Sequence, residues 1–287
     1  MIIVRLMGGL GNQMFQYAAG KRLALARGVE LKLDTGFFER YPSRAFTLNA
    51  YPISEKVAAR GEIRRLIYGG KPWWKLQTSK ARRAAKESSP FIAREEYFHF
   101  NENLMTLGDR AYLDGYWQSE RYFTDISEKI RTLFTPISVS RKARDMDDRI
   151  SSCNSVSLHV RRGDYVHDVS ASEVHVSLST DYYMDAVAYL EAILGYLEIF
   201  LFSDDLPWVK KNLQLKHRAT AVEDFSDVED MWLMSRCRHN IIANSSFSWW
   251  GGWLNRNVGK TVIAPRDWFR PEKYDTVDLI PPGWVRL

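Results

Sequence analysis

The stretch that decides the fold is IIVRLMGGLGNQMFQYAA, residues 2–19. It opens with apolar, partly β-branched residues, breaks at a glycine-rich turn, and continues with apolar and small residues at helical spacing. Residues 30–34, ELKLD, then alternate like a second strand. A strand, a turn, a helix and a second strand predict a βαβ unit at the start of the chain.

The same pattern begins again at residue 155, where SVSLHV predicts a buried strand. Strands alternating with helices indicate parallel sheets covered by helices. We therefore predict an α/β chain of two Rossmann-like domains facing each other across a cleft, one over residues 1–150 and one over 151–287. Further strands are expected at 111–116, 198–202, 240–243 and 261–264, and helices at 119–134, 140–150 (crossing between the halves), 180–194, 228–237 and from 246.

The composition is that of an ordinary folded protein, with 45% hydrophobic and 26% charged residues in a chain of 287. No apolar run reaches the roughly 18 to 20 residues that span a bilayer. The start lacks the basic region of a signal peptide, so we expect a cytoplasmic location. Cys153 and Cys237 lie far apart in sequence, which argues against a zinc site or a disulfide framework.

The net charge is +5, and part of the excess is local. Residues 60–86 hold nine lysines and arginines against the single acid Glu62. Such a segment is a candidate for peripheral contact with an anionic membrane, here the inner face of the cell membrane, and the alternative is a solvated helical face. No helix-turn-helix, zinc-finger or RNP-like motif is present, so nucleic acid is not expected as a partner.

The first candidate ligand site is the turn GGLGNQ, residues 8–13, between strand and helix. Glycines there allow close backbone approach to a ligand, and the helix start offers N–H groups to an anion. One interpretation is a dinucleotide fingerprint, with Asp34 as the ribose-binding acid, and hence an NAD-dependent oxidoreductase. Met14 occupies the third glycine position of that fingerprint, which argues against it. A purely structural turn and a site for another ligand are the other interpretations.

The second candidate is HVRRGDY, residues 159–165, at the end of the strand that begins at 155. A guanidinium at the carboxyl end of a strand suits a diphosphate, because it forks two charge-assisted hydrogen bonds. Arg161 is therefore the main candidate for binding a diphosphate. Asp164 is a candidate either to orient an arginine or to act as a base, and a structural ion pair at the turn is the alternative.

The third candidate is the pair Asp204 and Asp205, which follows the predicted strand 198–202. Adjacent acids suggest a metal, but metal-dependent glycosyltransferases generally use Asp-x-Asp. That spacing occurs only at residues 145–147, inside a charged helical stretch, and is read as a solvated face. For Asp204 and Asp205, hydrogen bonding to a ribose or base and capping of a helix both remain open.

The fourth candidate is NSSFSWWGGW, residues 244–253, where a hydroxyl-rich loop opens a helix. Serine hydroxyls beside free backbone N–H groups form an anion cradle, so the serines are expected to contact a ligand. Phe247 could stack on a base or ring, and the tryptophans are expected in the core. A tryptophan-rich, non-catalytic carbohydrate-binding protein is a further alternative for the whole chain.

Three of these motifs, GGLGNQMFQYA at 8–18, HVRRGDY at 159–165 and NSSFSWW at 244–250, together resemble the bacterial α-1,2-fucosyltransferases of glycosyltransferase family 11. The resemblance implies a GT-B-like architecture with the acceptor on the N-terminal domain and GDP-β-L-fucose on the C-terminal domain. It implies inverting transfer of L-fucose to the 2-hydroxyl of a β-galactoside glycan, as in O-antigen biosynthesis. No cofactor and no metal are implied, and the acceptor is an oligosaccharide or a lipid-linked glycan.

The resemblance also assigns roles to residues that match its motifs. It places Arg161 on the donor diphosphate and Asn12, with Gly11 beside it, near the fucose and diphosphate. The start of the last helix, at Ser246 and Phe247, is placed on the phosphates and nucleotide.

The resemblance also adds Ser245, Asp204 and Asp230 to the donor-binding set. The residues that flank Asp204 and Asp230 differ between the related groups of fucosyltransferases. His159 and Asp164 are the candidate general bases, and the sequence does not decide between them.

Overall fold

The computed structural model describes residues 1–96, 98–163, 176–270 and 274–287. The chain forms two compact units, each with its own parallel sheet. Unit 1 comprises residues 1–49 and 53–133, and unit 2 comprises residues 50–52 and 134–287. The predicted α/β class with two Rossmann-like units is confirmed.

Unit 1 is built on a five-stranded sheet in the order β3-β2-β1-β5-β4, in which every described pair is parallel. The central strand β1 is almost wholly buried, as its run of apolar residues predicts. Its neighbours are in register, so that Val4 pairs with Leu33 on one side and Leu113 on the other. The strands are β1 Ile2–Arg5, β2 Leu31–Asp34, β3 Lys56–Val57, β4 Ile92–Arg94 and β5 Ala111–Asp114.

Helix α1, Leu10–Arg27, packs against the centre of this sheet. Gly20 allows the close approach, because a Cβ there would lie 3.1 Å from side-chain atoms of Val4 and Leu31. The helix ends at Gly28 in a left-handed conformation, as helices commonly do. The other helices of unit 1 are α2 Gly36–Arg40, α3 Arg60–Ile67, α4 Ser79–Glu87, α5 Asn103–Thr106 and α6 Ser127–Leu133, with 3-10 helices at Trp73–Leu76, Glu120–Tyr122 and Thr124–Ile126.

Unit 2 is built on a six-stranded sheet in the order β11-β10-β9-β6-β7-β8, again parallel at every described pair. The strands are β6 Ser155–Val160, β7 Glu198–Ser203, β8 Arg218–Ala221, β9 His239–Ile241, β10 Val262–Ala264 and β11 Val285–Arg286. The helices are α7 Arg141–Ser151, α8 Thr180–Leu194, α9 Leu206–Asn212, α10 Asp227–Arg236 and α11 Ser246–Leu254.

The tryptophans of α11 belong to the core of unit 2, as predicted. Trp249 and Trp250 are fully buried and Trp253 is 3% exposed. Their rings pack on one another, and the indole N–H of Trp249 donates to the carbonyl of Leu279. Burial of these rings stabilises the fold instead of forming a sugar pocket.

Three expectations are corrected by the structure. The predicted helix over 119–134 is broken into two 3-10 helices and the short α6. The observed boundary falls at residue 134 and not at 150. Its cause is the Phe134 ring, which packs edge-on against Trp250 and Tyr51 and so fixes this part of the chain in unit 2. The segment expected to cross between the halves, α7, is a helix of unit 2 that packs on α10.

Within the described ranges, no helix has both the length and the apolar character that crossing a membrane requires. The basic segment 60–86 forms α3, a 3-10 helix and α4. Part of its charge is compensated locally, since Arg60 pairs with Glu39 and Arg83 with Glu87. Contact of this segment with a membrane stays a prediction.

Helices α10 and α11 pack closely through Gly251. A Cβ at this position would lie 2.8 Å from the Cβ of Met234, and both residues are buried. We expect Gly251→Ala to lower the free energy of unfolding by about 1–3 kcal/mol, because the added methyl overpacks the helix contact. Urea unfolding followed by tryptophan fluorescence measures the change.

Gly61→Ala is the matched control for that substitution. Gly61 lies in α3, and a Cβ there meets no atom within 4 Å. Alanine is the better helix former, so this variant should be neutral or slightly stabilising. Equal destabilisation by the two variants would contradict the packing argument.

Candidate active site

The order of the strands places the main candidates of unit 2 at one edge of its sheet. Strand β6 lies between β7 and β9, and the chain moves outward from it in both directions, so the topological switch point lies between β6 and β9. Ligands of open α/β sheets bind at the carboxyl ends of strands at such a point. Arg161 follows β6 there, and the loop before α11 follows β9.

The Asp204 carboxylate holds Arg161 and the loop that contains it. Its Oδ2 lies 3.1 Å from the Arg161 guanidinium. The backbone N–H groups of Arg162 and Gly163 each donate to the carboxylate at 2.9 Å. A Cβ on Gly163 would lie 2.6 Å from Asp204 Oδ2, so only glycine allows this approach. Asp204 is therefore the acid that orients Arg161, a role for which the sequence suggested Asp164.

The neighbouring acid, Asp205, has a different role. Its side chain accepts a hydrogen bond from the backbone N–H of Trp208 at 3.1 Å and so caps α9. It also lies 3.4 Å from the Arg162 guanidinium, which stacks on the Trp208 ring at 3.8 Å. Of the two interpretations left open by the sequence, capping is confirmed for Asp205.

His159 lies in the interior of unit 2, near the end of β6 and two residues before Arg161. Its ring is 5.7 Å from that of Phe247, which joins the end of β6 to the start of α11. Burial and the nearby Arg161 charge lower its pKa to about 3. A buried imidazole that stays neutral at physiological pH is a poor proton acceptor, so the geometry argues against His159 as the general base.

At the start of α11, only some of the residues predicted to contact a ligand are accessible. Ser245 is the cap, and its hydroxyl accepts from the N–H of Phe247 at 3.3 Å. Ser246 and Phe247 are half-buried at the first turn, whereas Ser248 is fully buried and donates to backbone carbonyls. Ser246 and Phe247 therefore remain candidates for ligand contact, and the expectation that all three serines meet a ligand is wrong for Ser248.

Asp230 lies in the first turn of α10, at the end of that helix nearest the carboxyl edge of the sheet. Burial, together with the charges of Asp227 and Glu229, raises its pKa to about 7. Its Oδ1 is buried and has no hydrogen-bond partner in the described part of the chain. A carboxyl group of this kind needs a donor to satisfy it, which a bound ligand would supply. Asp164, the other predicted acid, lies outside the described residues.

In unit 1 the turn after β1 and the loop after β5 lie side by side, because the two strands are neighbours in the sheet. The turn after β1 requires Gly8, because its φ is +78° and a Cβ would lie 2.6 Å from Asn12 Nδ2. Gly11 is buried in the first turn of α1, and Asn12 is half-buried. Between the turn and this loop, the Gln118 side-chain amide donates to Asn12 Oδ1 at 2.8 Å.

The dinucleotide interpretation of this turn fails on two contacts. Asp34 Oδ2 accepts from the hydroxyl of Tyr112 at 2.6 Å, and its Oδ1 accepts from the N–H of Gly36 at 3.0 Å. The carboxylate is therefore engaged within unit 1 and is not presented to a ribose. Met14 is fully buried where the fingerprint needs its third glycine.

A half-buried carboxyl group, Glu95, holds the loop that follows β5. It accepts from the backbone N–H groups of Tyr116 at 2.6 Å and Trp117 at 2.8 Å. Burial raises its pKa to about 7. Trp117 is buried with φ at +58°, a conformation that costs a bulky residue free energy and that its surroundings must enforce.

Glu95 and Gln118 were missed by the sequence reasoning. The signal for Gln118 was its position directly after a predicted strand and the glycine at 115. The described residues also contain no group of three or more His, Cys, Asp or Glu arranged to hold a metal ion.

Comparison with known proteins identifies the class of this site. Residues 75–287 match the model of glycosyl transferase family 11. The chain belongs to this glycosyltransferase family. It is 38% identical to an alpha-1,2-colitosyltransferase of Escherichia coli, over 100% of the chain and 98% of that protein. It is 32% identical to the O-antigen biosynthesis glycosyltransferase WbnK of Escherichia coli, over 98% of the chain and 99% of that protein.

The fold of this glycosyltransferase is similar to that of an Arabidopsis thaliana FUT1 mutant solved in complex with GDP. The TM-score is 0.53 at 10% identity, with 98% of this chain and 74% of the other covered. This likeness concerns the fold alone. Membership of the family sets aside the oxidoreductase and the non-catalytic alternatives, and it confirms the family resemblance inferred from the three motifs.

The contacts of Asp204 predict the effect of removing its charge in the glycosyltransferase. Asp204→Asn replaces one acceptor oxygen by an amide N–H₂, so a backbone N–H loses its acceptor and Arg161 loses its ion pair. We expect kcat/KM for transfer to fall by roughly 10- to 100-fold, since an N–H left without an acceptor costs about 1–3 kcal/mol. Asp205→Asn keeps its capping oxygen and should stay within a few-fold of wild type. Equal losses in both variants would contradict the role of Asp204.

Glu95 predicts a pH dependence of stability. Because its pKa rises from 4.5 to about 7 on folding, the folded protein retains a proton that the unfolded chain releases. Stability contributed by this group is therefore present below pH 4.5 and is lost as pH rises to about 7. Glu95→Gln should make the free energy of unfolding fall less over this range, measured by urea titrations at several pH values. An unchanged slope would show that Glu95 does not titrate as its burial implies.

Proposed function

We propose that this glycosyltransferase moves L-fucose from GDP-β-L-fucose to the 2-hydroxyl of a β-galactoside glycan, with inversion at the anomeric carbon and without a metal. The single observation that carries the proposal is the Arg161 guanidinium, held by Asp204 at the switch point of unit 2 next to the start of α11. The three sequence motifs shared with α-1,2-fucosyltransferases supply the sugar and the linkage. Unit 2 is the donor unit of the proposal, and unit 1 takes the acceptor.

Inverting transfer is a single displacement, in which negative charge grows on the leaving GDP. In the proposal, the Arg161 guanidinium neutralises this charge with two hydrogen bonds to the diphosphate. Backbone N–H groups at the first turn of α11, with the Ser246 hydroxyl, add further donors. Phe247 offers its half-buried ring to the nucleotide. Preorganisation by Asp204 means that the guanidinium does not have to reorganise during the reaction.

Asn12 is the proposed partner of the sugar or the diphosphate in unit 1. Its side chain is half-buried and fixed by Gln118. The acceptor hydroxyl also needs a proton acceptor. With the pKa of His159 at about 3, Asp164 stays the candidate base of the two that the sequence offered.

A second donor is favoured by a specific comparison. A relative 38% identical over the whole chain is an alpha-1,2-colitosyltransferase. Colitose is L-fucose without its 3-hydroxyl, so GDP-colitose would present the same diphosphate to Arg161. The second candidate function is therefore transfer of colitose with the same linkage.

Release of GDP distinguishes these proposals. The enzyme is incubated in EDTA with GDP-L-fucose or GDP-colitose, with and without a panel of β-galactosides, and free GDP is measured. Fucosyl transfer predicts acceptor-dependent release from GDP-L-fucose that EDTA does not affect. Faster GDP release from GDP-colitose than from GDP-L-fucose would show that colitose transfer, the second candidate, is the function. Loss of activity in EDTA would overturn the proposal of a metal-free reaction.

The role of Arg161 is tested in the same assay. We expect Arg161→Ala to lower kcat by about 10²–10³-fold, as removal of one donor to a developing anion does. Arg161→Lys should retain part of the activity, because an ammonium keeps the charge but loses the bidentate geometry. Arg162→Ala should have a much smaller effect, because alanine keeps the backbone N–H that contacts Asp204. Near-normal turnover of Arg161→Ala would refute the proposal.

A further inference from the structure

One polar contact in unit 1 joins the turn after β1 to the loop after β5. Gln118 Nε2 donates to Asn12 Oδ1 at 2.8 Å. Gln118 is 6% exposed, whereas Asn12 is half-buried at the surface of the turn. The buried Gln118 amide therefore holds the more accessible Asn12 amide through this hydrogen bond.

The direction of this hydrogen bond determines what Asn12 presents. A side-chain amide has an acceptor end and a donor end. With Oδ1 engaged by Gln118, the Nδ2 group remains as the donor end. Nδ2 lies close to Gly8, since a Cβ added to Gly8 would be 2.6 Å from it. An amide N–H₂ group matches oxygen acceptors, which phosphates and sugar hydroxyls supply.

Gln118 is itself rigidly placed. The two residues before it, Tyr116 and Trp117, donate their backbone N–H groups to the Glu95 carboxyl. After it, the Ser119 hydroxyl accepts from the N–H of Arg121 and caps a 3-10 helix. The left-handed conformation of Trp117 turns the chain between these two anchors. Strain of this kind persists where the surroundings enforce it, and it gathers at functional sites.

We infer that Gln118 is a positioning residue, which fixes the orientation of the Asn12 amide so that Nδ2 faces the bound nucleotide sugar as a hydrogen-bond donor. This inference rests on the proposed role of Asn12 in transfer. It adds a residue outside the motifs from which that role was drawn, and it states the polarity of the group that meets the ligand.

The test uses two substitutions of Gln118 with opposite chemistry. Gln118→Ala removes the contact and should lower kcat by about 10- to 100-fold, with KM for the nucleotide sugar changed by less than about 3-fold. Gln118→Glu keeps the shape. Its carboxyl group donates to Asn12 Oδ1 when protonated, but accepts from Nδ2 when ionised and so turns the amide around. The activity of Gln118→Glu relative to wild type should therefore fall between about pH 6 and about pH 9, the range in which a buried glutamate can titrate.

Gln16→Glu is the matched control, since Gln16 is a buried glutamine one turn after Asn12 on α1. Its Oε1 accepts from the N–H of Met7 at 2.9 Å, which a carboxyl group can also do, and its Nε2 has no hydrogen-bond partner among the described residues. This variant should keep a constant activity relative to wild type across the same pH range. Melting temperatures of all variants show that the assays are made on folded protein.

A double-mutant cycle connects Gln118 to Asn12. Gln118→Ala should cause little further loss when it is added to Asn12→Ala, because its effect passes through Asn12. Additive losses would overturn the inference, as would a Gln118→Ala variant within about 3-fold of wild-type kcat, or a pH-independent activity ratio for Gln118→Glu.

The assay uses whichever nucleotide sugar the wild-type enzyme turns over, so an error in the proposed donor leaves this test intact. Wild-type activity in Asn12→Ala would refute both the role of Asn12 and the inference. Loss of activity in Asn12→Ala with normal Gln118 variants would refute the inference alone.

Discussion

The candidate site of unit 2 depends on the pairing of β6 with strands on both sides. The register that pairs Val160 with Ser203 brings Arg161 level with Asp204, and the pairing of Leu158 with Ile241 brings the start of α11 to the same edge. A slip of one residue would turn every side chain of β6 to the other face of the sheet. In the observed register, the strand ends place Asp204 within reach of the Arg161 guanidinium and of the backbone N–H groups of Arg162 and Gly163.

The two units supply different chemistry at the carboxyl ends of their central strands. In unit 2 a guanidinium is held by a carboxylate, so a positive charge is presented with its side-chain geometry fixed. In unit 1 a neutral amide, Asn12, is held by another neutral amide, and the charged pair at the same strand ends, Arg5 and Asp114, compensates itself at 2.7 Å. A neutral donor costs little to desolvate, whereas a buried charge needs a partner.

The sequence predicted the long central elements and missed the short peripheral ones for a physical reason. Strand β6 is buried along its whole length, and α8 buries residues at helical spacing, namely Tyr183, Ala186, Val187 and Leu190, which periodicity reveals. Between residues 40 and 110, strands of two or three residues and short helices take their conformation from neighbours distant in sequence. The segment 119–134 has a helical pattern of apolar residues, but capping by Ser119 and burial of Phe123 break it into short turns.

Those parts of the site that a single sequence motif marks were predictable. Arg161 and Phe247 could be proposed because each follows a strand whose end the motif marks. The partnership of Arg161 with Asp204, and that of Asn12 with Gln118, depends on which strands are neighbours. No single segment of the sequence reveals the order of the strands, and the residues of these two pairs are 43 and 106 positions apart in sequence. The sequence offered Asp164 as an acid that could orient an arginine because it lies nearby in the chain, whereas the contact of Arg161 with Asp204 becomes visible only once β6 and β7 are known to be neighbours.

The identity of the donor sugar depends on contacts other than the diphosphate site. GDP-fucose and GDP-colitose share every group that Arg161, Ser246 and Phe247 are proposed to bind, and they differ by the single 3-hydroxyl. A pocket that hydrogen-bonds a hydroxyl rejects the analogue that lacks it by about 10⁴–10⁵-fold, because its own polar groups are left without partners. A pocket that merely tolerates the smaller sugar rejects the hydroxylated one by only about 10²-fold. The size of the preference therefore diagnoses its origin: a strong preference for fucose requires a polar partner for the 3-hydroxyl, whereas a weak preference for either sugar indicates an apolar contact there.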